Sequence, residues 1–277
     1  MGEDTESDRA DSIDSDADHR NVVRDRYASI ASDGRSCCDG STVTTDVAAS
    51  TDVDRRARAV GYSDDELTGI PRDANLGLGC GNPTAIANLN PGEVVLDLGS
   101  GAGFDCFLAA QEVGSAGRVI GVEMTPEMVE KARANATEAS NAPVEFRLGE
   151  IEHLPVADGV VDVIISNCVI NLSPNKQQVF DESFRVLAPG GRMAVTDVVR
   201  TTELPRAIES DPASISRCVA GAEPIETIRG MLEQSGFVDI GIEPKDDSDE
   251  FIREWDPERD LSEYLVSARF TAAKPSP

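Results

Sequence analysis

Residues 94–105, with the sequence VVLDLGSGAGFD, constrain the fold of this chain more than any other stretch. The first three residues form an apolar, mostly β-branched run, which is typical of a buried strand. Glycine then occupies every second position from 99 to 103, which predicts a tight turn, and the apolar run at 104–113 predicts a packed helix that ends at Gly114. Backbone N–H groups and the helix dipole meet at such a turn. We therefore expect this turn to bind a ligand.

The spacing of the glycines indicates the kind of ligand. Gly99 and Gly101 fit the dinucleotide pattern G-x-G-x-x-G, but Phe104 stands at its third glycine position. Asp97 instead precedes a G-x-G-x-G run, and this arrangement resembles the first motif of class I S-adenosylmethionine-dependent methyltransferases. The next predicted strand ends at Glu123, about 20 residues beyond the turn, where an acidic side chain can accept hydrogen bonds from ribose hydroxyls. No arginine directly follows to receive a phosphate, so the pattern disfavours NADP.

Strands and helices alternate along the rest of the chain. Such alternation predicts a mostly parallel sheet with helices on both faces. The expected fold class is α/β, with a doubly wound, seven-stranded, mostly parallel sheet of the Rossmann-like class I methyltransferase type and an N-terminal cap of helices and loops. The predicted strands are residues 94–97, 118–122, 144–148, 160–166, 192–197, 238–242 and 264–272.

The chain divides into three predicted parts. Residues 1–20 are acidic and nearly free of apolar side chains, which predicts a disordered tail. Residues 21–76 form a cap segment with short helices near 21–31 and 46–62, and this segment carries Cys37 and Cys38. Residues 77–277 form the methyltransferase domain, with an inserted segment around 200–223.

The charge balance excludes several classes of partner. The formal net charge is −26, from 51 acidic and 25 basic residues, so the surface repels nucleic acid and anionic membranes. This composition resembles that of cytosolic proteins from salt-loving organisms. The sequence contains neither a secretory signal pattern nor a run long enough to span a membrane. We therefore expect a cytoplasmic protein whose six cysteines stay reduced.

Three cysteines lie in segments that narrow the function. Residues 77–83 (GLGCGNP), 166–174 (SNCVINLSP) and 217–222 (RCVAGA) closely resemble the cysteine-bearing segments of arsenite methyltransferases, and the resemblance extends from about residue 22 to residue 274. It implies that Cys80, Cys168 and Cys218 are catalytic residues that bind trivalent arsenic. It also implies that Cys37 or Cys38 is the catalytic thiol that pairs with Cys80 during turnover. Cys106 matches none of these thiols, which predicts a core residue.

The same resemblance implies the cofactor, S-adenosyl-L-methionine, and its binding residues. In such enzymes the acidic residue and the glycine turn hold the aminoacyl end, the acid after the second strand holds the ribose, and the corner after the third strand faces the adenine. The predicted cofactor-binding residues are Asp97, Gly99, Ser100, Gly101, Gly103, Glu123, Met124, Glu150, Ile151 and Asn167.

The expected chemistry follows from the properties of arsenic. Trivalent arsenic is soft and prefers thiolate ligands, and three thiolates leave it a lone pair that can attack an electrophilic methyl group without a general base. This agrees with the presence of only two histidines, His19 and His153. Methyl transfer formally oxidises arsenic, so we expect a thiol reductant of the thioredoxin or glutathione type as co-substrate. The predicted function is methylation of arsenite or methylarsenite in arsenic detoxification.

Two other functions remain open at this level. A class I methyltransferase of a small metabolite such as a quinone would share the cofactor motif but would not need three spaced thiols. A non-catalytic thiol-based metalloid sensor would need the thiols but not the acidic and glycine residues between 97 and 123. Binding of the cofactor, together with a triple Cys→Ser change, distinguishes the three.

Overall fold

We analysed a computed structural model that describes residues 15–33, 46–139 and 142–277. Cys37 and Cys38 lie outside the described residues, as does the predicted tail up to residue 14. Among the residues that the structure describes, no helix has both the length and the apolar character to cross a membrane.

A seven-stranded sheet forms the centre of the fold, and the predicted fold class is confirmed. Its strand order is β3-β2-β1-β4-β5-β7-β6, in which β7 runs antiparallel to both of its neighbours. The pairs on the other side of β5 are parallel. The strands are β1 Val94–Leu98, β2 Arg118–Glu123, β3 Val144–Leu148, β4 Val161–Asn167, β5 Leu187–Arg200, β6 Val238–Pro244 and β7 Leu265–Ala273.

Helices cover both faces of the sheet, and four of the described helices precede the first strand in the chain. In the described ranges they are α1 Asp16–Asp33, α2 Asp46–Val60, α3 Asp64–Thr68, α4 Thr84–Ala87, α5 Phe104–Val113, α6 Pro126–Glu138, α7 Lys176–Val186, α8 Arg206–Glu209, α9 Pro212–Ile215, α10 Ile225–Ser235 and α11 Asp249–Ile252. Short 3-10 turns occupy Arg72–Ala74, Gly114–Ala116, Ile170–Leu172, Arg253–Trp255 and Leu261–Glu263.

The core has two layers because successive strand residues point to opposite faces of the sheet. In β1, Val95 packs into the cluster that contains Phe107 of α5, whereas Leu96 packs into the cluster that contains Phe180 of α7. Both residues of β1 are fully buried, as is Phe180. A nearly continuous apolar strand is what a sheet covered on both faces requires. The fold therefore leaves the ends of the strands, not their faces, available for a site.

The first predicted helix and the fifth predicted strand differ most from the structure. Residues 16–20 belong to α1, so the predicted tail does not extend to residue 20 and the helix begins before residue 21. The reason is local, because the Ser15 hydroxyl accepts a hydrogen bond from the Asp18 N–H at 3.2 Å and the acidic first turn complements the helix dipole. Strand β5 is longer than residues 192–197, since Leu187 pairs with Val161 and Arg200 pairs with Leu265.

Candidate active site

A large cavity opens at the carboxyl ends of β1, β2 and β4, the edge where open α/β sheets bind ligands. Tyr27 of α1 and Val60 of α2 line it, and Trp255 lies on its wall near the C-terminal part of the chain. The predicted site residues that line it are Asp97, Gly99, Ser100, Gly101, Glu123, Met124, Ile151, Asn167, Cys168 and Cys218.

The glycine turn sits on the floor of this cavity. Gly99 has φ +66° and donates its N–H to the Val122 carbonyl at 2.8 Å, which ties the turn to β2. Gly101 has φ +51°, and a Cβ atom at that position would meet no atom within 4 Å beyond its own chain neighbours. Its N–H donates to the Glu123 carboxylate at 3.2 Å. The turn therefore presents bare backbone to the space above it.

Polar side chains around the turn suit a polar ligand. Burial raises the pKa of Glu123, and burial together with the nearby charge of Asp105 raises the pKa of Asp97 well above its ordinary value. The Ser100 hydroxyl is buried without a hydrogen-bond partner among the described residues. Because an unsatisfied buried hydroxyl is unfavourable, these groups fit a ligand with hydrogen-bonding atoms, such as the aminoacyl and ribose groups of S-adenosylmethionine.

Of the predicted site residues that the structure describes, three do not line the cavity. Gly103 is the N-cap of α5, and Phe146 and Phe107 pack against it. The Glu150 carboxylate lies 3.8 Å from Arg20, where it contacts α1. Cys80 is completely buried beside the cavity.

One amide side chain holds the loop that carries Cys80. The Asn167 side-chain oxygen accepts the Cys80 N–H at 3.0 Å, and its nitrogen donates to the Gly81 carbonyl at 2.8 Å. A Cβ atom at Gly79 would lie 2.6 Å from the Asn167 amide, so only glycine permits this approach. The Ser267 hydroxyl of β7 donates to the Cys80 carbonyl at 2.8 Å. The GCG sequence is thus required for close packing of the loop on the sheet.

The thiols converge at the carboxyl end of β4, beside residue 197 of β5. The side-chain ligand atoms of Cys80, Cys168 and Asp197 all lie within 4.8 Å of one another, and all three residues are buried. The Cys218 thiol donates to the Cys168 carbonyl at 2.8 Å. The three predicted arsenic ligands therefore lie close together, with Cys80 behind the cavity wall, and the Asp197 carboxylate lies beside them.

Two of these cysteines have unusual backbone conformations. Cys168 has φ +58° and Cys218 has φ +64°. A left-handed conformation costs about 1–2 kcal/mol in a residue that carries a Cβ atom. The Cys168 N–H donates to the Thr196 carbonyl at 2.7 Å, and the Cys218 N–H donates to the Ile215 carbonyl at 3.3 Å. The surrounding hydrogen bonds hold both residues in this conformation.

Burial keeps the thiols protonated in the free protein. It raises the pKa of Cys80 and, well above its ordinary value, that of Cys218. At Cys168 the hydrogen bond from Cys218 lowers the pKa, but a hydrogen bond to Cys80 and burial outweigh it and raise the pKa. Neutral thiols avoid the free energy of burying several negative charges together.

Burial also raises the pKa of Asp197, to about 6. Its carboxylate accepts hydrogen bonds from the Asn171 amide nitrogen at 2.8 Å and from the Val198 N–H at 2.8 Å. These donors fix the orientation of the carboxylate toward the thiols. The charge of Lys176 lowers the pKa of Asp197 in part.

Comparison with known proteins gives the family. A family profile described as a methyltransferase domain matches residues 89–249. The chain is 54% identical over 261 residues to an arsenite methyltransferase of Halobacterium salinarum, a match that covers 93% of this chain and 67% of that protein. The chain belongs to the arsenite methyltransferase family.

Other arsenite methyltransferases match a smaller share of their own length. An arsenite methyltransferase of Aquipseudomonas alcaligenes is 41% identical, over 65% of this chain and 52% of that protein. The human arsenite methyltransferase is 39% identical, over 52% of this chain and 40% of that protein. The chain thus matches about half of these two relatives or less. The crystal structure of an arsenic(III) S-adenosylmethionine methyltransferase from Chlamydomonas reinhardtii is 34% identical, with a TM-score of 0.61, and covers 80% of this chain and 73% of that one.

In this arsenite methyltransferase family member, the sequence did not predict three residues of the site, which are Tyr62, Asp105 and Asp197. The Tyr62 hydroxyl donates to the Asp105 carboxylate at 2.6 Å and accepts a hydrogen bond from the Asn167 side-chain nitrogen at 2.9 Å. Asp197 is the third residue. A buried tyrosine needs a hydrogen-bond partner, but nothing in the local sequence identifies a partner 105 residues away. Asp197 could have been predicted from its position at the carboxyl end of a predicted strand, because ligands of open α/β sheets bind beyond those ends.

Proposed function

We propose that this chain methylates trivalent arsenic, with S-adenosylmethionine as methyl donor and with Cys80, Cys168 and Cys218 as arsenic ligands. The observation that carries the proposal is that Cys168 and Cys218 line the same cavity as the glycine turn, with Cys80 next to them. The names of the relatives support arsenite as the substrate. Methylarsenite is the other expected substrate.

The ligand exchange explains why neutral, buried thiols suffice. Arsenite carries three hydroxyl groups, and each thiol replaces one of them, so that three As–S bonds form and three water molecules leave. Each departing hydroxyl takes the proton of its incoming thiol, and no charge accumulates in the pocket. The product is a pyramidal arsenic atom whose lone pair stays free. Because a lone pair is the nucleophile, the site needs no general base.

The residues of the chain hold the reactants and exclude water. Bound S-adenosylmethionine supplies an electrophilic methyl group. The turn at Gly99 and Gly101 would hold its aminoacyl end together with Asp97, and Glu123 would accept the ribose hydroxyls. The Cys80 loop, fixed by Asn167, keeps arsenic against the sheet edge. Positioning of this kind accounts for a large part of the rate of reactions between two bound groups.

Turnover also requires two electrons. Methyl transfer leaves arsenic formally pentavalent, and oxidation of two thiols to a disulfide returns it to the trivalent state. We propose that Cys80 and either Cys37 or Cys38 form this disulfide, which a cytoplasmic thiol of the thioredoxin or glutathione type then reduces. The process would serve arsenic detoxification.

The test is arsenic speciation by chromatography with mass detection. Purified chain is incubated with arsenite, S-adenosylmethionine and a thiol in molar KCl, beside a Cys168→Ser variant whose melting temperature and cofactor affinity are measured in parallel. Methylated arsenic from the unmodified chain, and none from a folded, cofactor-binding variant, is the expected result. Absence of product from a cofactor-binding unmodified chain would instead favour another methyl acceptor, and full activity of the variant would contradict the ligand set.

A further inference from the structure

We propose that Cys80, Cys168 and Asp197 also form a site for a thiophilic divalent cation, Zn²⁺ or Cd²⁺. Such an ion would use two of the three arsenic ligands and replace Cys218 by the carboxylate. The binding of the cation does not depend on the proposed function. Its consequence, inhibition of arsenite methylation, does rest on it.

The geometry meets the first requirement of a metal site. Two sulfur atoms and a carboxylate oxygen lie within 4.8 Å of one another. A small contraction brings them to the spacing of ligands around one ion, since Zn–S and Zn–O distances are about 2.3 and 2.0–2.2 Å. Among the residues that the structure describes, this is the cluster of cysteine, histidine and acidic side chains with such spacing.

The second requirement, oriented ligands, is met by the groups around them. Asn171 donates both its backbone N–H, at 3.2 Å, and its side-chain nitrogen, at 2.8 Å, to the two oxygens of Asp197. Asn167 and Thr196 fix the backbone at Cys80 and Cys168 through N–H hydrogen bonds of 3.0 and 2.7 Å. Such outer hydrogen bonds are a general feature of protein metal sites because they hold the ligands in place before the ion arrives.

The donor set distinguishes the two kinds of ligand. Trivalent arsenic is soft and favours a third thiolate, which Cys218 can supply. Zinc is borderline and accepts carboxylate oxygen as well as thiolate, so Asp197 can complete a set of three protein ligands with one open position. The Cys218 thiol donates to the Cys168 carbonyl at 2.8 Å and is not required for the cation.

The charges of the pocket also favour a dication. Binding releases the two thiol protons to solvent and leaves two thiolates and one carboxylate around the ion. The charge of Lys176 acts on Asp197, and its nitrogen donates to the Ser173 carbonyl at 3.2 Å. The two positive charges of the ion and the charge of Lys176 oppose the three negative charges of the ligands. Such pairing reduces the free energy of burying these charges.

The experiment uses the full chain with Cys37→Ser and Cys38→Ser, so that these two thiols cannot contribute. Cd²⁺ is titrated in, and sulfur-to-cadmium charge-transfer absorbance is followed in the ultraviolet. We expect one Cd²⁺ per chain, loss of the band in Cys80→Ser and Cys168→Ser, and retention in Cys218→Ser. Asp197→Asn should weaken the affinity at least roughly tenfold, by analogy with the loss of groups that support metal ligands. Asp158→Asn, which removes an exposed carboxylate beside Arg185, is the matched control and should leave the affinity unchanged.

A second measurement covers the case in which Asp197→Asn does not fold. Zinc-edge X-ray absorption of the Cys37→Ser, Cys38→Ser chain loaded with one Zn²⁺ counts its ligands without any change in the pocket. Two sulfurs and lighter atoms would support the proposal. Three sulfurs, or a Cd²⁺ band that disappears in Cys218→Ser and is unaffected by Asp197→Asn, would overturn it.

Competition links the cation to the reaction. Arsenite added to the Cd²⁺-loaded chain should displace the ion and abolish the band, and Zn²⁺ should inhibit methylation in proportion to its occupancy. Methylation is measured on the unmodified chain, because loss of Cys37 and Cys38 is itself expected to stop turnover. Cd²⁺ binding through these ligands, together with no methylated arsenic from the unmodified chain, would support the cation site while overturning the proposed function. A Cd²⁺ band that persists with saturating arsenite bound would overturn the shared site.

Discussion

The side-chain oxygen of Asn167 accepts a hydrogen bond from the backbone N–H of Cys80 at 3.0 Å. The nitrogen of the same amide donates to the next carbonyl of that loop, at Gly81. Asn167 lies at the carboxyl end of β4, next to Cys168, so one residue sets the distance between the Cys80 loop and the second thiol. The position of the Cys80 thiol therefore depends on a side chain that need not touch the arsenic.

We expect Asn167→Ala to reduce arsenite methylation roughly 100-fold, because misplacement of a reacting group by about 1 Å has effects of this size. The affinity for S-adenosylmethionine should change much less than the rate. Rates and cofactor affinity are measured separately, with Asn90→Ala in an exposed loop as the control. A rate close to that of the control would show that Asn167 does not position Cys80. A loss confined to cofactor affinity would instead place Asn167 on the cofactor, as the sequence resemblance implies.

Tyr62→Phe tests the hydroxyl group that bridges Asp105 and Asn167. We expect a loss of about 1–3 kcal/mol in unfolding free energy, since the buried carboxylate of Asp105 would lose a donor at 2.6 Å. Urea unfolding in molar KCl measures it. Tyr264→Phe is the matched control, because Tyr264 is only half-buried and does not line the cavity. Equal stabilities of the two variants would contradict the bridging role.

The pH dependence of stability should carry the signature of Asp105. Burial raises its pKa to about 6, whereas an unfolded aspartate titrates near 4. The folded chain holds the proton more tightly, so this residue contributes most to stability below about pH 4, and the contribution falls as the pH rises through about 6, by up to roughly 3 kcal/mol. Asp105→Asn should reduce this slope in urea unfolding between those values, and Asp197, whose pKa is also about 6, should account for part of what remains. A variant with the slope of the unmodified chain would refute the assignment.

Two glycines of the turn provide a matched pair. Both Gly99→Ala and Gly101→Ala place a side chain at positive φ, which costs about 1–2 kcal/mol. At Gly99 the new Cβ atom would also overlap the Val169 side chain, whereas at Gly101 it would meet open space. Gly99→Ala should therefore lower the unfolding free energy by about 1–3 kcal/mol more than Gly101→Ala, as overpacking does. Equal losses in denaturant unfolding would argue against the close packing of Gly99.

Salt should stabilise this chain. Its net charge of −26 destabilises the folded state through repulsion between carboxylates, and molar KCl reduces the screening length to about 3 Å. We expect the thermal midpoint to rise between dilute buffer and molar KCl, as followed by circular dichroism. An equal molar concentration of a neutral osmolyte is the control. A midpoint that does not change with KCl would show that charge repulsion is unimportant here.

The strands were predictable because a two-layer α/β core imposes apolar, β-branched runs that local sequence displays directly. The boundaries of β5 were harder to predict. Pro189 and two glycines predict a turn before residue 192, yet the strand starts at Leu187 because it pairs with Val161. Pairing with a distant strand, not local preference, determines where a strand begins.

Within the site, residues placed by their own strand were predictable from the sequence, whereas a residue placed by strand pairing was not. Asp97 and Glu123 lie near the carboxyl ends of their own strands, and the structure places both at the cavity. Asp197 reaches Cys168 only because β4 and β5 are neighbours in register, with Asn167 opposite Thr196. That register depends on the whole sheet, so the sequence identified the thiols through their resemblance to known segments but not the carboxylate beside them.

The left-handed backbone at Cys168 and Cys218 affects how this chain can evolve. Glycine adopts such a conformation without the steric penalty, so a change to glycine at either position should relieve strain in the fold. In a population selected for folding and solubility alone, these would be among the first sites to drift. The proposed arsenic ligands would then disappear while the fold remained. Retention of cysteine at positions 168 and 218 thus requires a selective pressure other than folding, and loss of that pressure would leave a sound methyltransferase fold without its substrate.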